Sequence, residues 1–117
     1  MGVDKTIFYD DSQIAIIPMG YCYPGRGGGG DLPPRRECAE LWLDPLLKKL
    51  PRVELTLLIG LYAQRHFLGA RRQSTLTETL RRWQEHAPDY IPLPHPSPRN
   101  TPWFQAHPWF ERELVPM

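Results

Sequence analysis

The stretch VELTLLIGLYAQRHFLGA (residues 53–70) decides the fold. Its first half, VELTLLIG (53–60), is an apolar, partly β-branched run closed by Gly60, the pattern of a buried strand. Its second half, LYAQRHFLGA (61–70), is long enough for a short helix, with Gly69 placed as its stop. A buried strand running directly into a helix is half of a βαβ unit. The flanking sequence supplies more of the same. IAIIP (14–18) reads as a buried strand ended by proline, and YIPLPHP (90–96) as a short strand broken by Pro92. ECAELWLDPLLKKL (37–50) carries Leu41, Trp42, Leu46, Leu47 and Leu50 as a helical stripe bent or restarted at Pro45. STLTETLRRWQEHA (74–87) is a helix capped by Ser74 or Thr75, with Leu76, Leu80 and Trp83 at helical spacing. TPWFQAHPWFERELV (101–115) is a terminal aromatic helix with Thr101 as cap and Pro102 in the first turn. The order strand, helix, strand, helix, helix, strand, helix argues an α/β fold with a mostly parallel sheet and helices on its faces.

Composition narrows the class. A chain of 117 residues, 41% hydrophobic, supports one domain with a modest core. A formal net charge of +1 means that affinity for a polyanion would come from local basic patches, not from the whole surface. No apolar run approaches the roughly 20 residues that span a bilayer, and no basic-then-apolar leader opens the chain, so a cytoplasmic protein with no membrane partner is expected. Fourteen prolines predict rigid, irregular connections. The two cysteines, Cys22 and Cys38, are either free thiols or two of the four ligands of a metal centre.

In a parallel sheet, ligands sit at the carboxyl ends of the strands. That edge collects the loops 18–36, 60–62 and 94–101. In the first, GYCYPGRGGGGDLPPRR (20–36), four consecutive glycines either cradle a phosphate with backbone N–H groups or form a flexible surface loop. The segment matches neither a Walker nor a dinucleotide pattern. Arg26, Arg35 and Arg36 suit a nucleic-acid backbone. Tyr21 and Tyr23 either stack on a planar base or pack against the helix layer.

His95 is the best single candidate for chemistry. Prolines on both sides hold it, and its imidazole can donate to a carbonyl oxygen on which charge develops. Its plainer reading is a capping or core histidine. Ser97 and Asn100 are caps by default, or grip a phosphate at the helix start. His66 and His107 read as surface or packing residues, and Trp103, Phe104, Trp109 and Phe110 as core. Together the candidates suit a flipped base held beside a phosphate backbone, and equally a phosphate-binding module without chemistry.

HPSPRN (95–100), joined to LLIG-x-YAQ (57–64), resembles the second active-site motif of the uracil-DNA glycosylase superfamily. The frame from about residue 8 onward resembles the central and C-terminal part of its bacterial iron–sulfur members. The resemblance implies a three-layer α/β/α sandwich around a four-stranded parallel sheet, and hydrolysis of the N-glycosidic bond of uracil in single- or double-stranded DNA during base excision repair. By position, His95 would stabilise the charge on the leaving uracil, Ser97 would touch a phosphate, and Arg99 and Asn100 would lie beside the extruded nucleotide. Cys22 and Cys38 would be half of a [4Fe-4S] site in a full-length relative, with no cluster expected in this chain. The family pattern also holds an earlier cysteine pair and a first strand ending in a G-x-x-P-G-like turn that carries the water-activating residue. Neither is present, so residues 1–117 are expected to form a single but N-terminally incomplete domain, with two apolar strand edges unpaired and little or no activity. A catalytically inactive DNA-binding module, or a truncated product without function, is the alternative.

Overall fold

A computed structural model describes residues 3–116, and the described chain falls into two compact units. Pro18–His95 forms one; Met1–Ile17 and Pro96–Met117 form the other.

The larger unit holds both pairs of strands. Arg26–Gly27 (β1) and Gly30–Asp31 (β2) make a small antiparallel hairpin turned by Gly28 and Gly29. Thr56–Ile59 (β3) and Tyr90–Leu93 (β4) pair in parallel, Thr56 against Tyr90 through Ile59 against Leu93. The helix Leu61–Leu68 follows β3 after a single residue, so the stretch 53–70 folds as its pattern predicts. Gly69 ends that helix, its N–H donating to the Arg65 carbonyl. Strand and helix thus alternate around a small parallel sheet, the α/β class expected from the element order.

The core of this unit gathers Leu43, Leu58, Leu68, Leu80 and Ile91. Each such side chain taken out of water stabilises the fold by about 1.5–3 kcal/mol. The helix Leu76–Arg81 brings in Leu80. Thr75 caps it, its hydroxyl accepting from the Glu78 N–H at 3.2 Å. Thr79, buried on the same helix, donates its hydroxyl to the Thr75 carbonyl and accepts from the Gln73 N–H, so its polar group is satisfied.

Four expectations are corrected in this unit and at its border. Residues 14–18 form no strand, and Ile16 is 72% exposed; the run makes no ladder hydrogen bonds, and apolar composition alone does not hold a strand. β3 is not buried on both faces, because Leu58 points inward while Leu57 and Ile59 are exposed. The segment from Arg36 to Lys48 is helical and restarts at Asp44 with Pro45 in its first turn, as expected, but Leu41, Trp42 and Leu46 lie outside. A wide π-type turn over Ala39–Leu43 inserts extra backbone and carries Ala39 and Leu43 inward instead. Finally, β4 is not broken by Pro92. The bonds Thr56 N–H to Asp89 O and Gly60 N–H to Leu93 O put the odd-numbered residues of β4 on the β3 side. The missing N–H of Pro92 therefore falls on the opposite edge, where the ladder does not need it.

In the smaller unit, the terminal helix is shorter than 101–115. It spans Thr101–Ala106, and chain resumes helical geometry only over Phe110–Leu114. Pro108 forces the residue before it out of helical geometry, and His107 has φ −130° and ψ 62°. Thr101 lies inside the helix and not at its cap; a 3-10 turn over Pro98–Asn100 precedes it. The aromatic stripe packs as core. Trp103 lies edge-on to Phe110 at 5.7 Å, and Phe110 and Leu114 are buried. Among the described residues no helix is long and apolar enough to cross a membrane.

His86 is the one buried imidazole of the larger unit among its described residues, 5% exposed, and its Nε2 has no hydrogen-bond partner there. Burial, aided by the nearby Arg71 charge and opposed by Glu85, holds its pKa below the ordinary 6.5. Unfolded His86 then takes up a proton that folded His86 resists. Stability is full above the unfolded value and is lost as pH falls through about 6.5 toward the folded one. Urea midpoints measured across that window should fall with pH in the wild-type protein and fall less steeply in His86→Phe.

Candidate active site

The carboxyl edge of the parallel pair is built by two chain exits. Gly60 leaves β3 with φ +87° and ψ 173°, a conformation all but closed to residues with a side chain. Its N–H donates to the Leu93 carbonyl at 2.9 Å, which extends the ladder one step past the strands. On the other exit, buried Pro94 carries the chain to His95, which is exposed. The two exits run close together. A methyl carbon built on Gly60 would lie 3.7 Å from His95 Cβ and 3.8 Å from its Cδ2. His95 thus stands at the expected edge, backed by a glycine whose own geometry excludes other residues.

One contributor escaped the sequence reading. Gln64, 1% exposed, donates from Nε2 to the carbonyls of Leu58 at 3.2 Å and Leu93 at 2.9 Å. Gln64 lies four positions before Leu68, and these two are the buried residues of the helix. Buried polar groups keep such a place only when bonded.

The glycine loop resolves into a defined object. Gly28 and Gly29 turn the hairpin with open space around them, and the Leu32 N–H donates to the Gly25 carbonyl at 2.8 Å. Gly20 packs against Pro34, which closes the base of the loop. Tyr23 and Arg26 meet through one residue: the Tyr23 hydroxyl donates to Asp31 Oδ1 at 2.8 Å, and Arg26 is the strand partner of Asp31. That hydrogen bond also raises the Tyr23 pKa. Tyr21 lies elsewhere, with Trp42, Pro45, Leu46 and Lys49, along an open cleft of about 440 Å³. Arg35 is exposed just ahead of the Arg36–Cys38 helical turn. Arg36 is ion-paired with Glu40 at 2.9 Å, which leaves it the least available of the three arginines.

In the smaller unit, Ser97, Arg99 and Asn100 are brought into one 3-10 turn. Ser97 Oγ accepts from the Arg99 N–H at 3.3 Å, and the Asn100 N–H donates to the Ser97 carbonyl at 2.9 Å. This leaves the Ser97 hydroxyl proton to be donated outward. His107 and His66 pack as expected. His107 stacks on Trp103 at 4.5 Å, and half-buried His66 lies edge-on to Phe67.

Over residues 2–117 the sequence matches the family model described as Uracil DNA glycosylase superfamily. The chain belongs to the uracil DNA glycosylase superfamily. The match spans both exits of the sheet edge, the loop that carries His95, and the turn that carries Ser97. The cysteines fit an iron–sulfur cluster poorly. Such a cluster takes four thiolates, this chain has Cys22 and Cys38, and no group of three His, Cys, Asp or Glu able to hold a metal occurs among the described residues.

Gly60→Ala tests the backing of His95. The added methyl meets only ordinary contacts, so the cost is backbone strain of about 1–3 kcal/mol. Denaturant unfolding should show that loss, while Gly28→Ala, in open space, should cost less.

Proposed function

We propose that this uracil DNA glycosylase-like chain removes uracil from DNA, with His95 as the residue that stabilises the departing base. The observation that carries the reading is the exposed imidazole at the carboxyl edge, backed by Gly60 and set between prolines. When the bond between the base nitrogen and the sugar carbon breaks, its electron pair moves into the pyrimidine and charge gathers on a carbonyl oxygen. An imidazole N–H fixed near that oxygen stabilises this state more than the neutral base, and so lowers the barrier. Water completes the reaction: its oxygen bonds to the sugar carbon and the proton it loses ends on the uracil anion, so that free uracil and an abasic sugar are the products. Proline-fixed backbone means that little reorganisation accompanies the step.

DNA itself is met by backbone contacts. Arg26 on the hairpin and Arg35 before the helical turn are the arginines that we assign to phosphates. Ser97 donates its hydroxyl proton to another, and Arg99 and Asn100 in the same turn lie beside the flipped nucleotide. Tyr21, exposed and next to Trp42, serves as a stacking surface. Tyr23 acts through the hairpin it braces.

The test is a single-turnover assay with excess protein and a uracil-containing single-stranded oligonucleotide, with free uracil as the readout. Release that is slow but measurable, and falls about 100- to 1,000-fold in His95→Ala, is expected. Undiminished release by His95→Ala overturns the assignment. Salt-dependent binding with no release by the wild-type protein identifies a DNA-binding module instead.

Salt dependence separates the arginines. Each phosphate contact contributes about 0.7 to the slope of log affinity against log salt for single strands. Arg26→Ala and Arg35→Ala should each lower that slope by about this much. Arg36→Ala should lower it less, because Glu40 already neutralises that side chain.

A further inference from the structure

We propose that Gln64 is a positioning residue for His95, acting from beneath the sheet edge without touching substrate. The inference rests on the reading of His95 just given. An amide nitrogen carries two hydrogens, and Gln64 Nε2 spends them on two carbonyls, Leu58 O in β3 and Leu93 O at the end of β4. The side chain therefore ties together the carboxyl ends of the two strands that define the edge. Leu93 O takes a second hydrogen bond from the Gly60 N–H, so both donors converge on the last residue of β4.

Between Leu93 and His95 stands only Pro94, buried and locked in φ. A change in the direction of the Leu93 carbonyl is carried through that rigid residue to the imidazole. Gly60, held by the same carbonyl, forms the surface against which His95 rests. Gln64 thus fixes both the residue that delivers His95 and the residue that backs it. A side chain serving only to fill the core would need no amide. Leucine or methionine would fill the space without burying polar atoms.

Gln64→Met matches the length and removes both donors, while Gln64→Asn keeps an amide one methylene short. The first readout is independent of activity: the imidazole nitrogen and carbon-bound proton resonances of His95 in the intact, isotopically labelled protein. Gln64→Met should shift and broaden the His95 signals and leave those of His107 in place, with Gln64→Asn between it and wild type. The second readout is single-turnover uracil release. Gln64→Met should lower it about 10- to 100-fold, as small misplacements of a reacting group do. In a His95→Ala background the same substitution should lower it no further. Should Gln64→Met fail to fold, Gln64→Asn against wild type supplies both comparisons. If the variants lower stability but leave the His95 resonances unmoved, or lower release equally with and without His95, Gln64 is only a structural tie and the proposal is overturned. If wild-type protein releases no uracil, the proposed reaction fails by itself, and the His95 resonances still decide the role of Gln64.

Discussion

The carbonyl oxygen of Leu93 accepts two hydrogen bonds, one from the Gly60 N–H and one from Gln64 Nε2, and the sheet edge depends on this junction. A two-stranded parallel sheet is a weak object, since an isolated pair of strands is marginal at best in water. Here the ladder is continued past its last residue pair by Gly60 and then closed from below by a side chain of the following helix. The parallel pair thus gains a third element of its hydrogen-bond system without a third strand. Burial of Leu58 and Ile91 against Leu68 and Leu80 supplies the apolar side of the same arrangement.

What the sequence made legible was local and chemical. Gly60 and Gly69 bracket the helix 61–68 because each residue type does something there that others do badly. Thr75 caps because its hydroxyl reaches Glu78 N–H, and Pro45 restarts a helix because a first turn needs no donor from it. What stayed illegible depended on partners or on register. IAIIP has the composition of a strand, but a strand is a property of two edges, and composition reports only one. Leu41, Trp42 and Leu46 obey helical spacing, yet a single π-type turn shifts the phase by enough to bury Ala39 and Leu43 instead. Pro92 reads as a breaker until the parity of the ladder is known.

The candidate site divides in the same way. His95 stands out in the sequence because prolines flank it, and Ser97 because its hydroxyl suits the cap it forms on the Arg99 N–H. Gln64 does not, since a glutamine on a short helix is ordinary until its burial is seen. The glycines of residues 27–30 also change meaning: a run that invites a phosphate-cradle reading is accounted for by a small antiparallel hairpin, with Gly28 and Gly29 at its tip in open space. The function of that loop then lies in what the hairpin displays. Asp31 is already engaged by Tyr23, so Arg26 carries the positive character of the hairpin.

The prolines around His95 are best understood as three different devices. Pro92 sits within β4 with its missing donor on the edge away from β3, which leaves that edge poorer in donors and less able to recruit another strand. Pro94 is buried and transmits the direction fixed at Leu93. Pro96 follows His95 and restricts it to extended backbone. Ordering one residue on binding costs about 1–2 kcal/mol of conformational entropy, and a chain already confined at 94, 95 and 96 has little of it left to lose. Rigid backbone alone does not aim a side chain, however, because χ angles remain free. Gly60 lies beside that side chain, close enough that a methyl added there would meet His95 Cβ and Cδ2 at ordinary contact distance. The same glycine therefore satisfies a left-handed backbone conformation and extends a ladder beside the histidine, and a substitution there is strained by the backbone whatever the space.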